Sequence, residues 1–180
     1  MKKLIFFLLP IILVGQTLFA STYAARQSKC IRIMSSEELT KEAELIVRAK
    51  VTRVDRATYQ GLYDQLATLK VSEVIDGDTA LKDKEIKVWA QTRVPCANDS
   101  YAVNDELLVF LVREITFYHT LNYQYGQFHM QNEQVMGWRD KDKGEVAKNY
   151  PDVATEIRTI LVARTTSALT TSAAIVSTPR

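Results

Sequence analysis

The chain has 180 residues and a formal net charge of +2, from 23 basic and 21 acidic residues. Lys2 and Lys3 lie at its start, and the rest of the chain balances at 21 residues of each sign. A nucleic-acid-binding protein is expected to carry a basic patch or stripe. This composition therefore argues against a nucleic-acid partner, and the length suits one domain with a sizeable core.

The first 24 residues have the pattern of a secretory signal peptide. Two lysines precede the unbroken apolar run of residues 4–14, and a stretch rich in small residues follows. The run contains Pro10 and is shorter than the roughly 20 residues that a transmembrane helix needs. We expect cleavage after Ala24 or Ala20 and a periplasmic or secreted mature chain without a stable membrane span. An uncleaved membrane anchor is the alternative.

Cys30 and Cys96 are the only cysteines. In an oxidising compartment, an even number of cysteines indicates a disulfide rather than reactive thiols. The bridge would close a loop of about 66 residues, and chain entropy would then stabilise the fold by roughly 4 kcal/mol. We therefore predict a Cys30–Cys96 disulfide in the mature protein.

A short helix and a strand are the first predicted elements of the mature chain. Residues 35–43 predict the helix, because Ser35 can cap it and Glu38 completes a capping box. Residues 45–52 alternate between apolar and polar side chains, which is typical of a half-buried strand. The alternation slips at residues 53–54, where we expect a β-bulge.

Three further strands and a hairpin are predicted next. Residues 66–75 and 85–91 alternate, so each predicts a strand with one buried face. Residues 107–112 are apolar at every position, which predicts a central strand covered on both faces. Residues 115–130 are rich in aromatic side chains and predict a long hairpin that bends near Asn122.

A helix and a tail complete the chain. Residues 139–144 predict a charged turn, and Pro151 suits the first position of a helix. The apolar face of this helix comprises Val153, Ile157, Ile160 and Leu161. After Arg164 the chain lacks a hydrophobic face, which predicts a disordered tail.

These elements predict a mainly β fold. Five strands with a short N-terminal helix and a C-terminal helix favour a Greek-key barrel of the OB type. The predicted organisation is a signal peptide over residues 1–24, an OB-like domain over 25–138, a turn and a helix packed on the barrel over 139–164, and a disordered tail over 165–180.

Several short segments resemble the netrin-like domains, a group that includes the tissue inhibitors of metalloproteinases. The similarity covers about residues 30–138 and includes Cys30, residues 43–51, 69–74, 85–88, 94–96 and 104–111, and a Gly-x-Phe at residues 126–128. Many exported bacterial proteins are similar in this layout. The resemblance implies an OB-fold barrel, and it implies the same pairing of Cys30 with Cys96.

The expected function is that of an exported, disulfide-stapled binding module for a protein or another extracytoplasmic ligand, with no cofactor. The family's inhibitors grip the enzyme's zinc through a cysteine that is itself the mature N-terminus. Here cleavage after Ala24 would leave residues 25–29 in front of Cys30. Metalloproteinase inhibition is therefore an alternative that requires further trimming after Lys29.

Two groups of residues suggest metal binding. His119 and His129 lie in one predicted hairpin, but zinc needs three or four ligands and no third is spaced near them. Asp140, Asp142 and Gly144 resemble the opening of a calcium loop but lack its remaining ligands. We interpret the histidines as half-exposed strand residues and the acidic segment as a solvated turn, so no metal site is predicted.

No catalytic residue is predicted, because the sequence has no recognised nucleophile motif. Cys96 and His119 could act as nucleophile and base, but a disulfide would remove the thiolate. A hydrolase without a recognised motif remains the alternative from another functional class. A stacking platform for single strands or sugars could be formed by Tyr118, Tyr123, Tyr125 and Phe128, which we instead interpret as core and cross-strand packing.

Overall fold

The computed structural model describes residues 31–94, 98–140 and 142–176, with side chains through residue 166. The helices and strands of this part are α1 (Ser36–Glu42), β1 (Leu45–Tyr59), β2 (Tyr63–Asp76), β3 (Glu85–Ala90), β4 (Glu106–Glu114), β5 (Phe117–Thr120), β6 (Gln127–Gln131), β7 (Gln134–Asp140), β8 (Gly144–Asn149) and α2 (Tyr150–Val176). The predicted signal peptide, Cys30 and Cys96 lie outside the described residues, so the disulfide stays a prediction.

Five strands pair into a partly closed ring in the order β1-β2-β3-β5-β4, and β4 pairs with β1 in antiparallel orientation. The seam between β3 and β5 is parallel and short, with only Val88 opposite Tyr118 and Trp89 opposite His119. This short seam leaves the ring partly closed. Strands β6, β7 and β8 continue the sheet beyond β4. The mainly β class with two flanking helices is confirmed, but the described chain has eight strands where five were predicted.

Strand β4 separates two hydrophobic cores. Leu107, Val109 and Leu111 face the interior of the ring, together with apolar residues of β1, β2 and β3. Leu108 and Phe110 face the other way, into a core that the two helices cover. Each of these five side chains is at most 1 % exposed. The prediction of a central strand covered on both faces is confirmed, because adjacent side chains of a strand point to opposite faces.

The predicted helices both form. Ser35 and Glu38 make the predicted capping box at the start of α1. Val153 and Ile157 of α2 are fully buried against the outside of the sheet. We predicted a disordered tail from Thr165, whereas the backbone is helical through Val176. Neither proline nor glycine interrupts this stretch, so the helix continues although Thr165 itself is exposed.

The predicted hairpin of residues 115–130 is wrong. The chain reverses at Ile115 and Thr116, and both β5 and β6 then pair with β4. Asn122, the predicted bend, is left-handed at φ 58° but only opens a 3-10 turn between β5 and β6. A Cβ on Gly126 would lie 2.0 Å from the carbonyl oxygen of Leu121. The segment between β5 and β6 is therefore packed so closely that position 126 requires glycine.

The β-bulge that was predicted at residues 53–54 is present in β1, but it lies one residue earlier in the chain. The register of β1 against β2 shifts between Val51 and Arg53. β1 continues for 15 residues, well past the end of its pairing with β4 at Lys50. Within the described part of the chain, no helix is long and apolar enough to cross a membrane.

Candidate interaction surface

The two histidines considered as zinc ligands lie on different strands. His119 on β5 pairs with Val112, and its Nε2 is 4.0 Å from a carboxylate oxygen of Glu114. His129 on β6 pairs with Leu107 near the other end of β4 and is mostly exposed. Among the described residues, no three side chains of the usual ligand types come together around a metal-sized space. The structure therefore does not bring the histidines into one site.

The acidic segment after β7 closes a hairpin turn. The carboxylate of Asp140 accepts the backbone N–H groups of Asp142 at 3.0 Å and Lys143 at 3.2 Å. These bonds hold the pKa of Asp140 below its usual range. The carboxylate therefore organises the turn between β7 and β8, as the interpretation of a solvated turn predicted.

The aromatic residues considered as a stacking platform do not form one surface. Phe128 is 2 % exposed and lies in the core beneath the helices. Tyr118 packs against the interior of the ring. Tyr123 and Tyr125 are half-buried in the 3-10 turn between β5 and β6. Packing explains these side chains, and a different group of aromatic rings lies on the outside of the sheet.

An aromatic cluster lies on the outside of β3 and β5, and each of its members is buried or half-buried. Trp89 and Phe117 alternate along their strands with residues that face the ring interior, so they point outward. Tyr59 stacks on Trp89, with ring centroids 5.5 Å apart, and lies 5.0 Å from Phe117. Tyr63 lies 5.4 Å from Phe117 and 6.1 Å from the ring of His119. The aromatic cluster thus comprises Tyr59, Tyr63, Trp89, Phe117 and His119.

A hydrogen bond joins the two loops that border the aromatic cluster. The Tyr63 hydroxyl, at the start of β2, donates to Oε2 of Glu114, at the end of β4, over 2.9 Å. Burial and the nearby Glu114 carboxylate raise the pKa of Tyr63, so the phenol stays protonated. The tip of the β1–β2 hairpin is therefore tied to the β4–β5 turn.

Each of these two loops carries a large exposed apolar side chain. Leu62 in the β1–β2 hairpin is 61 % exposed, and Ile115 in the β4–β5 turn is 81 % exposed. The bond between Tyr63 and Glu114 holds their neighbours Leu62 and Ile115 on loops that border the same cluster, and neighbouring exposed apolar groups mark interaction sites more often than single scattered residues do. We define the docking surface as the aromatic cluster together with Leu62 and Ile115.

Ile115 is also strained. Its φ is 52°, and it occupies the first central position of a two-residue turn between the paired residues Glu114 and Phe117. The Thr116 N–H donates to the Glu114 carbonyl at 2.6 Å, so Ile115 is the centre of a γ-turn, and the form of this turn with a positive φ is rare and strained. A left-handed conformation costs an ordinary residue roughly 1–2 kcal/mol, and a β-branched one is a clear outlier. Ile115 has the most exposed large apolar side chain among the residues that the structure describes, and strained residues of this kind cluster at functional sites.

A buried polar network lies at the end of the ring. Asp99 is 2 % exposed and accepts the backbone N–H of Gln91 at 2.6 Å. Thr120 bonds to Asp99 and lies 2.6 Å from the hydroxyl of Tyr101, and Gln127 donates to Thr120 at 3.2 Å. Burial raises the pKa of Asp99 to about 6. The network ties the segment after β3 to β5 and β6.

A groove lies between α1, the β7–β8 turn and α2. Its lining mixes apolar and acidic side chains, which include Ile33, Met34, Glu38, Asp140, Glu145 and Glu156. Glu38 bonds to Arg32 and to the backbone of Ser35, and Glu156 bonds to Lys148. Because the carboxylates of Glu38 and Glu156 have partners within the chain, the groove is a weaker candidate for a binding site than the docking surface.

No protein-family model matches the sequence, and a search of curated proteins finds no match either. The resemblance to netrin-like domains therefore remains a hypothesis. The inhibitor alternative depends on Cys30, and the nucleophile alternative depends on Cys96. Both residues lie outside the described part of the chain.

The docking surface was missed by reasoning from the sequence. Two local signals were present: Leu62 lies between turn residues and Tyr63, and Ile115 follows the polar pair Arg113 and Glu114 that ends the apolar run of residues 107–112. An aliphatic residue at each of two neighbouring strand ends would have indicated an exposed apolar patch. The contact between Tyr59 and Trp89 had no such signal, because it depends on how far β1 continues past its pairing with β4.

Proposed function

We propose that the mature chain is an exported polypeptide-binding module and that the docking surface is where its partner binds. The observation that carries this proposal is Ile115. It is 81 % exposed and held in a left-handed conformation that a glycine would adopt without strain. Folding alone does not favour an isoleucine at this position, whereas contact with a partner would.

The pairing of the strands supports an OB-like barrel as the scaffold of this module. An OB fold is a five-stranded, partly open Greek-key barrel that binds ligands with its β1–β2 and β4–β5 loops. Here the ring order is β1-β2-β3-β5-β4, and the same two loops carry Leu62 and Ile115. This analogy concerns the fold alone, and the proposed function rests on the residues of the docking surface.

The chemistry of the docking surface favours a polypeptide over a flat ring ligand. Phe117 and Tyr63 are at most 8 % exposed, so the most accessible apolar groups are the aliphatic side chains of Leu62 and Ile115. Protein interfaces bury aromatic and aliphatic anchors at their centre, where a few residues supply most of the binding energy.

The test is capture of partners from an extract of exported proteins. The wild-type chain is compared with Leu62→Ser/Ile115→Ser, which removes both aliphatic groups from the docking surface. The matched control is Val103→Ser/Val162→Ser, because these valines are also exposed, at 51 % and 67 %, but lie elsewhere on the chain. Quantitative mass spectrometry then compares the proteins recovered.

We expect at least one protein to be recovered by the wild-type chain and by the control, and to be lost with the docking-surface variant. Recovery of the same proteins by all three chains would contradict the proposal. Circular dichroism of each variant checks that it is folded before the comparison is made.

A further inference from the structure

We infer that a proton on the buried carboxyl group of Asp99 regulates the docking surface, an inference that rests on the proposed function. We define residues 98–101 as the Asp99 segment. With Asp99 protonated, this segment packs against the end of the ring and holds the docking surface in its binding form. With Asp99 ionised, the segment opens and the partner binds less tightly.

Asp99 carries a buried carboxyl group that has no cationic partner. The residue is 2 % exposed, and no other Asp or Glu among the described residues is buried. Its Oδ1 accepts the Gln91 N–H at 2.6 Å, and Thr120 also bonds to it. In the described part of the chain no basic side chain forms an ion pair with Asp99, and Arg93 pairs with Asp64 at 2.9 Å instead. An ionised carboxylate is costly in such a place.

The groups that face Asp99 favour its protonated form. Burial, and to a smaller extent the like charge of Asp64 on β2, raises the pKa of Asp99 to about 6. Tyr63 of β2 and Tyr101 of the Asp99 segment also face it, and both phenols stay neutral because burial raises the pKa of each. The neighbouring ends of β3, β5 and β6 contribute uncharged groups, which are Gln91, Thr120 and Gln127.

The bonding partners of Asp99 are close neighbours of the aromatic cluster in the sequence. Gln91 follows Trp89 by two residues, and Thr120 follows His119 directly. Each of these bonds to Asp99 therefore comes from a position one or two residues away from a ring of the docking surface. Release of the Asp99 segment would remove support from both strand ends.

A second connection between the Asp99 segment and the docking surface runs through β2. The Tyr101 N–H donates to Oε1 of Gln65 at 2.8 Å, and the Gln65 amide donates back to the Tyr101 carbonyl at 3.3 Å. Two residues before Gln65, Tyr63 makes its bond to Glu114. The Gln91 side chain also interacts with the Tyr63 hydroxyl. Opening of the Asp99 segment would therefore loosen the bond that couples the two loops of the docking surface.

The Asp99 segment is suited to local opening. It belongs to no helix or strand, and Asn98 and Ser100 are exposed. Segments with few buried contacts open at a lower free energy than core strands do. In the open form water solvates the carboxylate, so ionisation favours opening.

The direction of the pH effect follows from the raised pKa. The closed form is favoured while Asp99 is protonated, and it loses this advantage as pH rises through about 6. A rise of the pKa from 3.8 to about 6 corresponds to about a 100-fold change in the ratio of closed to open chain. A partner that binds only the closed form loses apparent affinity in proportion to the fraction that is open.

The experiment measures binding of one peptide at about pH 5 and about pH 7.5, on either side of the pKa of Asp99. The peptide is selected at the lower pH from a random-peptide display library on the immobilised mature chain, and fluorescence anisotropy measures its affinity. Asp99→Asn removes the titrating group and leaves His119, the other titratable side chain of the docking surface, unchanged. Asp142→Asn is the matched control, because it makes the same substitution at an exposed residue of the β7–β8 turn. Leu62→Ser/Ile115→Ser tests whether the peptide uses the docking surface.

We expect the affinity of the wild type and of Asp142→Asn to fall about tenfold from the lower to the higher pH. Asp99→Asn should bind equally tightly at both. Amide exchange of the wild type is a second measurement that decides the question if Asp99→Asn does not fold. After correction for the intrinsic pH dependence of exchange, protection of the Gln91 and Tyr101 N–H groups should decrease as pH rises.

Three results would overturn the inference and leave the proposed function standing. They are an affinity of the wild type that does not change with pH, a pH dependence that Asp99→Asn retains, and unchanged protection of the Gln91 and Tyr101 N–H groups. A peptide that binds the Leu62→Ser/Ile115→Ser variant as tightly as the wild type, or no selected peptide at all, would overturn the proposed function and this inference together.

Discussion

The Tyr63 hydroxyl donates to Oε2 of Glu114 at 2.9 Å, which links the tip of the β1–β2 hairpin to the β4–β5 turn. The bond couples the two loops that carry Leu62 and Ile115. Positioning of these two side chains therefore depends on a contact between residues that are 51 positions apart in the sequence.

Tyr63→Phe should loosen this coupling. We expect the free energy of unfolding to fall by about 1 kcal/mol, the typical contribution of one intramolecular hydrogen bond, as measured in urea melts. Amide exchange in the β1–β2 hairpin tip should become faster. Tyr118→Phe is the matched control, because the Tyr118 hydroxyl has no hydrogen-bond partner among the described residues. Equal stability and exchange in the two variants would show that the bond does not couple the loops.

Phe110→Ala should destabilise the fold severely. The side chain is fully buried between β4 and the helices, with the rings of Phe128 and Trp138 at 5.7 and 6.3 Å. Truncating such a residue typically costs about 3–5 kcal/mol. His119→Ala, on the half-exposed outer face, should cost about 1 kcal/mol or less. Equally mild effects of both substitutions in denaturant melts would contradict the central position of β4.

Asp99 should make stability depend on pH. Burial raises its pKa from 3.8 to about 6, so the native state binds more protons than the unfolded state between about pH 4 and pH 6. The contribution of Asp99 to stability is therefore largest below about pH 4 and declines as pH rises towards 6. A shift of this size corresponds to roughly 3 kcal/mol.

Asp99→Asn tests this assignment, because an amide keeps an oxygen acceptor for the Gln91 N–H but cannot ionise. Relative to wild type, the variant should gain roughly 2–3 kcal/mol of stability between about pH 4 and about pH 7. Urea melts across this range measure the difference. A difference that stays constant with pH would show that Asp99 does not titrate in this window.

Cys30 and Cys96 should be bonded in the purified exported protein. The expectation follows from the even number of cysteines in an oxidising compartment. Mass spectrometry after alkylation without reductant should detect no free thiol. Two alkylated cysteines would contradict the disulfide.

Parts of the fold could be predicted from the sequence wherever one short segment alone indicates which side chains are buried or where a helix begins. An unbroken apolar run at residues 107–112 predicts burial on both faces, and Ser35 with Glu38 specifies a helix start within four residues. The reversal at Ile115 could not be predicted in this way. Its strained backbone violates the local preference that turn prediction relies on.

The aromatic cluster of the docking surface could not be predicted either, because its members come from four strands. Alternation along β3 indicates that Trp89 points outward, but not that Tyr59 stacks on it. That contact requires β1 to continue past its pairing with β4, which ends at Lys50. Long-range geometry of this kind has no signal in a local pattern.

The most direct test of the docking surface is Ile115→Gly, measured for both stability and binding. Glycine relieves the left-handed strain, so the free energy of unfolding should rise by about 1 kcal/mol. Thr116→Gly is the control, because Thr116 does not have a positive φ and glycine there should only destabilise the turn.

The affinity for the captured partner should fall about tenfold or more with Ile115→Gly, since an exposed interface anchor is lost while the fold is stabilised. A more stable chain that binds less tightly is the result that this account predicts. A more stable chain with unchanged affinity would contradict it, because Ile115 would then be strained without serving the docking surface.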